Sequence, residues 1–153
     1  MPLADARQRG HARAMDEGSR TFDHTGDIGL EVWAPDAARL YALAAEAMMA
    51  LVVDAHGAAP VLERRVRLTG DDAADLFVHW LNTVLLESDL ARAVWTRVRV
   101  ERWAPTGLVA TLGGVALDPA RQTFLREIKA VSQHELTLEL DGPVCRCRFV
   151  LDV

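Results

Sequence analysis

Lysine occurs once in this chain, at Lys129, against sixteen arginines, and cysteine occurs only twice in 153 residues. Two cysteines exclude a disulfide-stapled scaffold, and a chain of this length buries roughly two-thirds of its unfolded surface without covalent help. Cys145 and Cys147 stand two apart in an alternating segment, where an extended backbone makes them poor partners for each other. They are expected to be reduced core thiols of a cytoplasmic protein. A Cys-x-Cys metal site is the alternative, but no second Cys/His pair stands at a zinc spacing. No apolar run is long enough for a membrane span, since the longest, around Leu40 to Val53, is interrupted by Glu46 and stopped by Asp54. The first twenty residues lack an apolar stretch followed by a small-residue cleavage site, so no secretory signal is expected. Residues 1–20 read as a flexible N-terminal extension ahead of one domain over 21–153. The net charge of -5 argues against strong general affinity for nucleic acid while leaving room for a local basic patch.

Half of the residues are apolar and a quarter charged, the composition of a folded domain. Ile28, Leu30 and Val32 alternate with Asp27, Gly29 and Glu31, which marks a half-buried strand. Pro35 and Asp36 then signal a helix start, and Leu40, Leu43, Ala44, Ala47, Met48 and Leu51 repeat at helical spacing up to Asp54. Val66 and Leu68 alternate with Arg65 and Arg67 in a second strand. The aspartates of "DDAADLFVHWLNTVLLESD" open a second helix with Leu76, Phe77, Trp80, Leu81, Val84 and Leu85 on its apolar face. Val94, Val98 and Val100 lie in a strand that "APTG" turns into a hairpin partner, "LVATLGGVAL". After a connection through Asp118 and Pro119, Leu136, Leu138 and Leu140 alternate with Glu135, Thr137 and Glu139, and Cys145, Cys147, Phe149 and Leu151 form the closing strand. The expected fold is α+β: a two-layer sandwich with a mixed or mostly antiparallel sheet of about six strands and two helices on one face. The other face would then carry Arg65, Arg67, Arg97, Arg99, Arg146 and Arg148.

Three features could carry chemistry. "DHTGDIGLEV" gathers Asp23, His24 and Asp27 at the mouth of a strand, "REIKAVSQHEL" holds the single lysine, and Asp152 is the penultimate residue. Each has a plainer reading: a turn or helix cap for the aspartates, a satisfied structural histidine, a solvated terminus for Asp152. The lysine invites more, because it offers a compact charge with three unforked donors in a chain that otherwise uses arginine.

These segments resemble the archease family, small proteins that assist RtcB-type RNA ligases. The resemblance runs from Phe22 to Val153. "DHTGDIGLEVWAPD" is similar to the family's Asp-His-Thr-Ala-Asp-Ile/Val-Gly opening, "MMALVVD" to its Met-Thr-Asp helix end, and "GDDAADLFVHWLNTVL" to its Gly-Asp/Glu-Asp helix. "REIKAVSQHEL" resembles Glu-Ile-Lys-Ala-Val-Thr-Tyr-His, and "FVLDV" resembles the family's terminus. Five matches in order are specific where one is not. Gly26 departs from the usual alanine and is expected to loosen its loop; Val53 replaces a threonine, and Ser132 with Gln133 replaces Thr-Tyr.

The resemblance implies an accessory role: promoting guanylylation of the ligase by GTP and its repeated turnover, in tRNA splicing or RNA repair. It also implies a metal-binding acidic site, with Asp27, Asp152 and Asp23 as ligands and His24, Asp54 and Lys129 in support. Crowded carboxylates repel unless a cation sits among them, and oxygen ligands suit hard divalent ions: calcium first, magnesium or manganese next. Asp27 begins the first of these strands and Asp152 ends the last, so the two meet if those strands are antiparallel neighbours. The expected partner is an RtcB-type RNA ligase, with RNA engaged indirectly and no membrane. Two rival readings are a metal-dependent hydrolase, for which ligands and a nucleophile motif are lacking, and a chaperone-like modulator of an RNA-modifying enzyme such as a tRNA methyltransferase.

Overall fold

A computed structural model of the chain describes residues 17–153, and residues 1–16 lie outside the described residues. Of the extension expected over 1–20, residues 18–20 are the first three of strand β1, Gly18–His24. Its alternation is masked in sequence because the strand lies at a sheet edge and most of its residues are exposed on both faces. The chain continues with β2 (Asp27–Ala34), helix α1 (Ala37–Val52), β3 (Val53–Asp54), β4 (Leu62–Thr69), helix α2 (Ala73–Ala91), β5 (Ala93–Ala104) and β6 (Gly107–Ala116). It closes with β7 (Thr123–Phe124), β8 (Ala130–Val131), β9 (Thr137–Glu139) and β10 (Cys145–Asp152).

The α+β class and the antiparallel pairing stand as expected. The strands divide among three sheets, where alternation alone suggested one. A five-stranded sheet runs β1-β2-β10-β8, with β9 pairing β10 beside β8; β4-β6-β5 form a second sheet, and β3-β7 a two-stranded ribbon. Every pairing is antiparallel. This division also parts the expected arginine face. Arg65, Arg67, Arg97 and Arg99 lie on the second sheet, while Arg146 and Arg148 flank Glu31 on the first.

Each helix starts where the sequence signals it. Asp36 caps α1 by accepting from the Arg39 backbone N–H at 2.8 Å. Asp72 caps α2 in the same way from Asp75, whose carboxylate in turn accepts from the Asp71 N–H. The helices pack on each other and on both larger sheets, α1 against β5 and β2 above all. Contact with two sheets explains why α1 buries a wider arc than one amphipathic stripe: Leu40, Tyr41, Ala42, Ala44, Ala45, Met48 and Met49 are all inside, while Leu43, Ala47 and Leu51 are only partly covered. Leu76, Phe77, Trp80, Leu81 and Val84 of α2 are buried as the periodicity predicts. Aromatic edges lock the layers, with Phe77 meeting Tyr41 and Phe149 at 5.1 Å between ring centroids. Cys145 and Cys147 are free and buried, and burial pushes both thiols up, away from the reactive thiolate. Among the described residues, no helix is long and apolar enough to cross a membrane.

The outer edge of β5 is covered from α1: Glu46 accepts the Val98 N–H at 2.8 Å and stands 3.6 Å from the Arg39 guanidinium. Burial nevertheless pushes the Glu46 carboxyl above its ordinary value. The folded chain therefore holds that proton more tightly than the unfolded chain does. The resulting stability is full below the ordinary carboxylate pKa and is lost as pH rises through the raised one. Glu46→Gln keeps an acceptor for Val98 and removes this loss. Its thermal midpoint should exceed that of the parent at neutral pH but not in acid below the carboxylate range; equal midpoints at neutral pH would contradict the assignment.

Candidate functional site at the sheet end

The hairpin of β1 and β2 turns through Thr25 and Gly26, with His24 paired to Asp27. Gly26 has φ +74, the left-handed region where a side chain is strained, so glycine suits this tip rather than loosening it. On the other side of β2, Leu151 of β10 pairs with Ile28. One residue further in that register, Asp152 stands beside Asp27, where Cβ atoms of facing residues lie about 4.5–5.5 Å apart. Asp152 pairs in turn with Ala130, and the Lys129 N–H donates to the Asp152 carbonyl at 2.7 Å. One row across the end of the five-stranded sheet thus holds His24, Asp27, Asp152 and Ala130, with Lys129 at its margin.

The Lys129 segment is fixed by side chains from both helices' surroundings. Asn82 of α2 pairs with Val131 as a strand would, its amide donating to the Val131 carbonyl at 2.8 Å and its oxygen accepting the Val131 N–H at 2.9 Å. Arg126 donates to the Leu51 carbonyl at the end of α1 at 2.9 Å. Lys129 also borders a cavity of about 370 Å³ lined by Val52, Leu85, Leu86, Asp89, Leu117 and Phe124, among others. Leu86, Leu117 and Phe124 are exposed there, Phe124 to 68 %.

Two predicted residues stand apart. Asp23 pairs with Ile28 and so lies on the face of β1 opposite His24, because successive strand residues alternate. Asp54 is on β3, where it accepts the His56 N–H at 2.8 Å and lies 3.5 Å from the His56 ring; that ring reaches the Thr123 hydroxyl at 2.9 Å. Asp54 borders a second cavity of about 520 Å³ with Glu46, His56, Trp95 and Arg97. The sequence reading missed Glu135, whose carboxylate contacts His24 Nε2. It sits at φ +57 just before β9, whereas Leu136-Leu138-Leu140 alternation read it as the solvent side of a strand. His24 Nδ1 is buried, 3.9 Å from Asp27 and without a hydrogen bond.

Asp27 and Asp152 have the hard oxygen chemistry of calcium or magnesium ligands, but two carboxylates fall short of the six to eight oxygens calcium takes. Among the described residues, no group of three His, Cys, Asp or Glu side chains could hold a metal ion. A cation held by this pair would need its remaining oxygens from elsewhere.

A sequence model of the archease protein family matches residues 20–153. The chain belongs to the archease family. It is 26% identical over 138 residues to the archease of Methanopyrus kandleri, covering 86% of this chain and 96% of that one. Against the Methanosarcina mazei archease the identity is 27% over 136 residues, with 86% and 93% covered. A solution structure of a Methanobacterium thermoautotrophicum protein superposes with a TM-score of 0.73 at 25% identity, covering 89% of this chain and 99% of that one. The crystal structure of a Thermotoga maritima archease, described as a possible chaperone, shares the fold with a TM-score of 0.60 at 20% identity, over 88% and 96% of the two chains. In this archease the opening motif and the terminal strand, furthest apart in sequence, are neighbours in one sheet, and the "GDD" helix buttresses the lysine segment.

Proposed function

We propose that this archease is an accessory protein that promotes guanylylation and multiple turnover of an RtcB-type, GTP-dependent RNA ligase in tRNA splicing or RNA repair. The observation that carries the reading is the register that brings Asp152 level with Asp27 at one end of the sheet, with the Lys129 backbone N–H bound to the Asp152 carbonyl beside them. Asp27 and Asp152 would hold a divalent cation, calcium first and magnesium or manganese next, which supplies positive charge that a nucleotide's phosphates can bind. Lys129 offers a second, mobile point charge for phosphate, and arginine's planar fork would not substitute for it in the same way. The exposed Leu86, Leu117 and Phe124 beside Lys129 give the tip an apolar border of the kind that marks protein contacts.

The test is transfer of labelled GMP from GTP to the cognate ligase, with and without this archease. Faster labelling and repeated ligation cycles in its presence are expected; a ligase unaffected by saturating archease would refute the reading. A second reading is a chaperone-like modulator of an RNA-modifying enzyme such as a tRNA methyltransferase, and the Thermotoga maritima relative is itself described as a possible chaperone. Recovery of a methyltransferase in place of the ligase from cell extract would support it.

A further inference from the structure

The outer face of the second sheet is a separate feature from the acidic tip. Strand pairing sets Glu63, Gly113 and Arg97 in one row, Arg65, Thr111 and Arg99 in the next, and Arg67, Val109 and Arg102 in the third. Residues paired across strands share a face, so five arginines project on the same side. All five are exposed, Arg65 and Arg99 with 67 % and 75 % of their side chains in solvent. The central strand contributes only Gly113, Thr111 and Val109, so the floor lies low between walls about 10 Å apart, two inter-strand spacings. A cavity of about 710 Å³ opens at one end of this trough, lined by Arg97, Arg99, Thr111 and Gly113 with Pro60 and Glu63. Arg65 and Arg67 on one wall, and Arg97 and Arg99 on the other, stand two residues and about 6.8 Å apart, and the irregularity at Glu101 places Arg102 in the row after Arg99.

Glu101 shows what the trough holds. It lies in a strand irregularity between Val100 and Arg102 and bends back over the floor. Its carboxylate accepts from the Thr111 hydroxyl and stands 3.1 Å from Arg65 and 3.6 Å from Arg99. The Thr111 hydroxyl first, then the two guanidinium groups, hold that carboxyl below its usual range. One internal anion thus already occupies the place between the walls, while Arg67, Arg97 and Arg102 have no salt bridge among the described residues. Five arginines against Glu63 and Glu101 leave the face positive on a chain whose net charge is -5.

We infer that this trough binds the phosphate backbone of single-stranded RNA, independently of its base sequence. An acidic protein surface fits less well, because tight protein interfaces need several aromatic or aliphatic anchors, while here the floor's Val109 is buried and Val61 at the cavity's edge stands exposed alone. Base stacking is not called for either, since Trp95 and Trp103 of β5 are turned to the core side, Trp103 meeting Tyr41 at 5.5 Å. Arginine forks suit phosphate oxygens two at a time. The overall negative charge keeps such binding weak and strongly dependent on salt.

The test is fluorescence anisotropy of labelled oligouridylate and oligoadenylate of about ten nucleotides, titrated with the full chain. With four phosphates neutralised, log K should fall with log salt at a slope of about -2.8, or about 50-fold between 50 and 200 mM. Arg97→Ala/Arg99→Ala should halve that slope, leaving about a 7-fold change. Arg97→Lys/Arg99→Lys keeps the charges and should keep the slope. Arg146→Ala/Arg148→Ala, on the other sheet, should leave it unchanged, and Glu101→Gln should tighten binding by vacating the anion's place. No binding at 50 mM salt, a slope untouched by the alanine pair, or preference for oligoglutamate over RNA would each overturn the inference. Guanylylation of the ligase is read without RNA, so failure here and failure of the ligase reading are separable.

Discussion

Asp27→Asn and Asp152→Asn should each reduce guanylylation of the cognate ligase to the rate it has alone, while leaving the archease folded. Carrying the β2–β10 register one residue past Leu151 and Ile28 sets the two aspartates level on adjacent strands, where like charges oppose folding. Neutralising either one is therefore expected to hold the thermal midpoint steady or raise it slightly, the signature of a site kept for function at a cost in stability. His24→Ala removes a neighbour of the pair and not a carboxylate. Loss of such an outer partner typically weakens metal affinity by about 10–100-fold, so stimulation should return at raised calcium. Full stimulation by either asparagine variant would sink the tip mechanism. A collapse in thermal midpoint would instead make the aspartates structural.

Trp80→Ala should be the most damaging single change to the fold. Trp80 is fully buried, and its indole N–H donates to the Tyr41 carbonyl at 2.8 Å, tying α2 to α1. Truncation leaves a large cavity and removes this link between the helices, at about 3–5 kcal/mol for the cavity alone. Against a typical total of about 5–15 kcal/mol this is a large fraction, and it corresponds to a drop in midpoint of roughly 6–20 °C for a domain of this size. Calorimetry or circular dichroism reads it directly. A drop of only a degree or two would mean that the two helices are not joined through this ring.

Much of the fold was legible because its elements carry local signals. The caps at Asp36 and Asp72 act through hydrogen bonds spanning three residues, so the sequence shows them wherever the helix packs. The apolar stripe of α2 was readable for a similar reason, since most of that helix's outer side stays in water. The stripe of α1 was read too narrowly, because a helix touched by two sheets loses the contrast that makes a period visible. Strand β1 escaped notice at the sheet edge, and β3, β7 and β8 are too short to show a period. Of the site, Asp27, Asp152 and Lys129 were legible through motif resemblance. Glu135 was not, because its pairing with His24 depends on a backbone turn at φ +57 that no neighbouring residue announces.

The sequence by itself determined family, class and the order of elements, since helix caps, turn residues and alternation act within a few positions of the chain. It also determined which residues are charged and how they are spaced along each strand. Only the tertiary structure decided which strands pair. That choice set Asp152 beside Asp27, turned Asp23 to the far face, and split the arginines between two sheets. The physical reason is that strand pairing joins backbone groups far apart in sequence, and a shift of one residue in register would exchange the faces of every side chain on the strand.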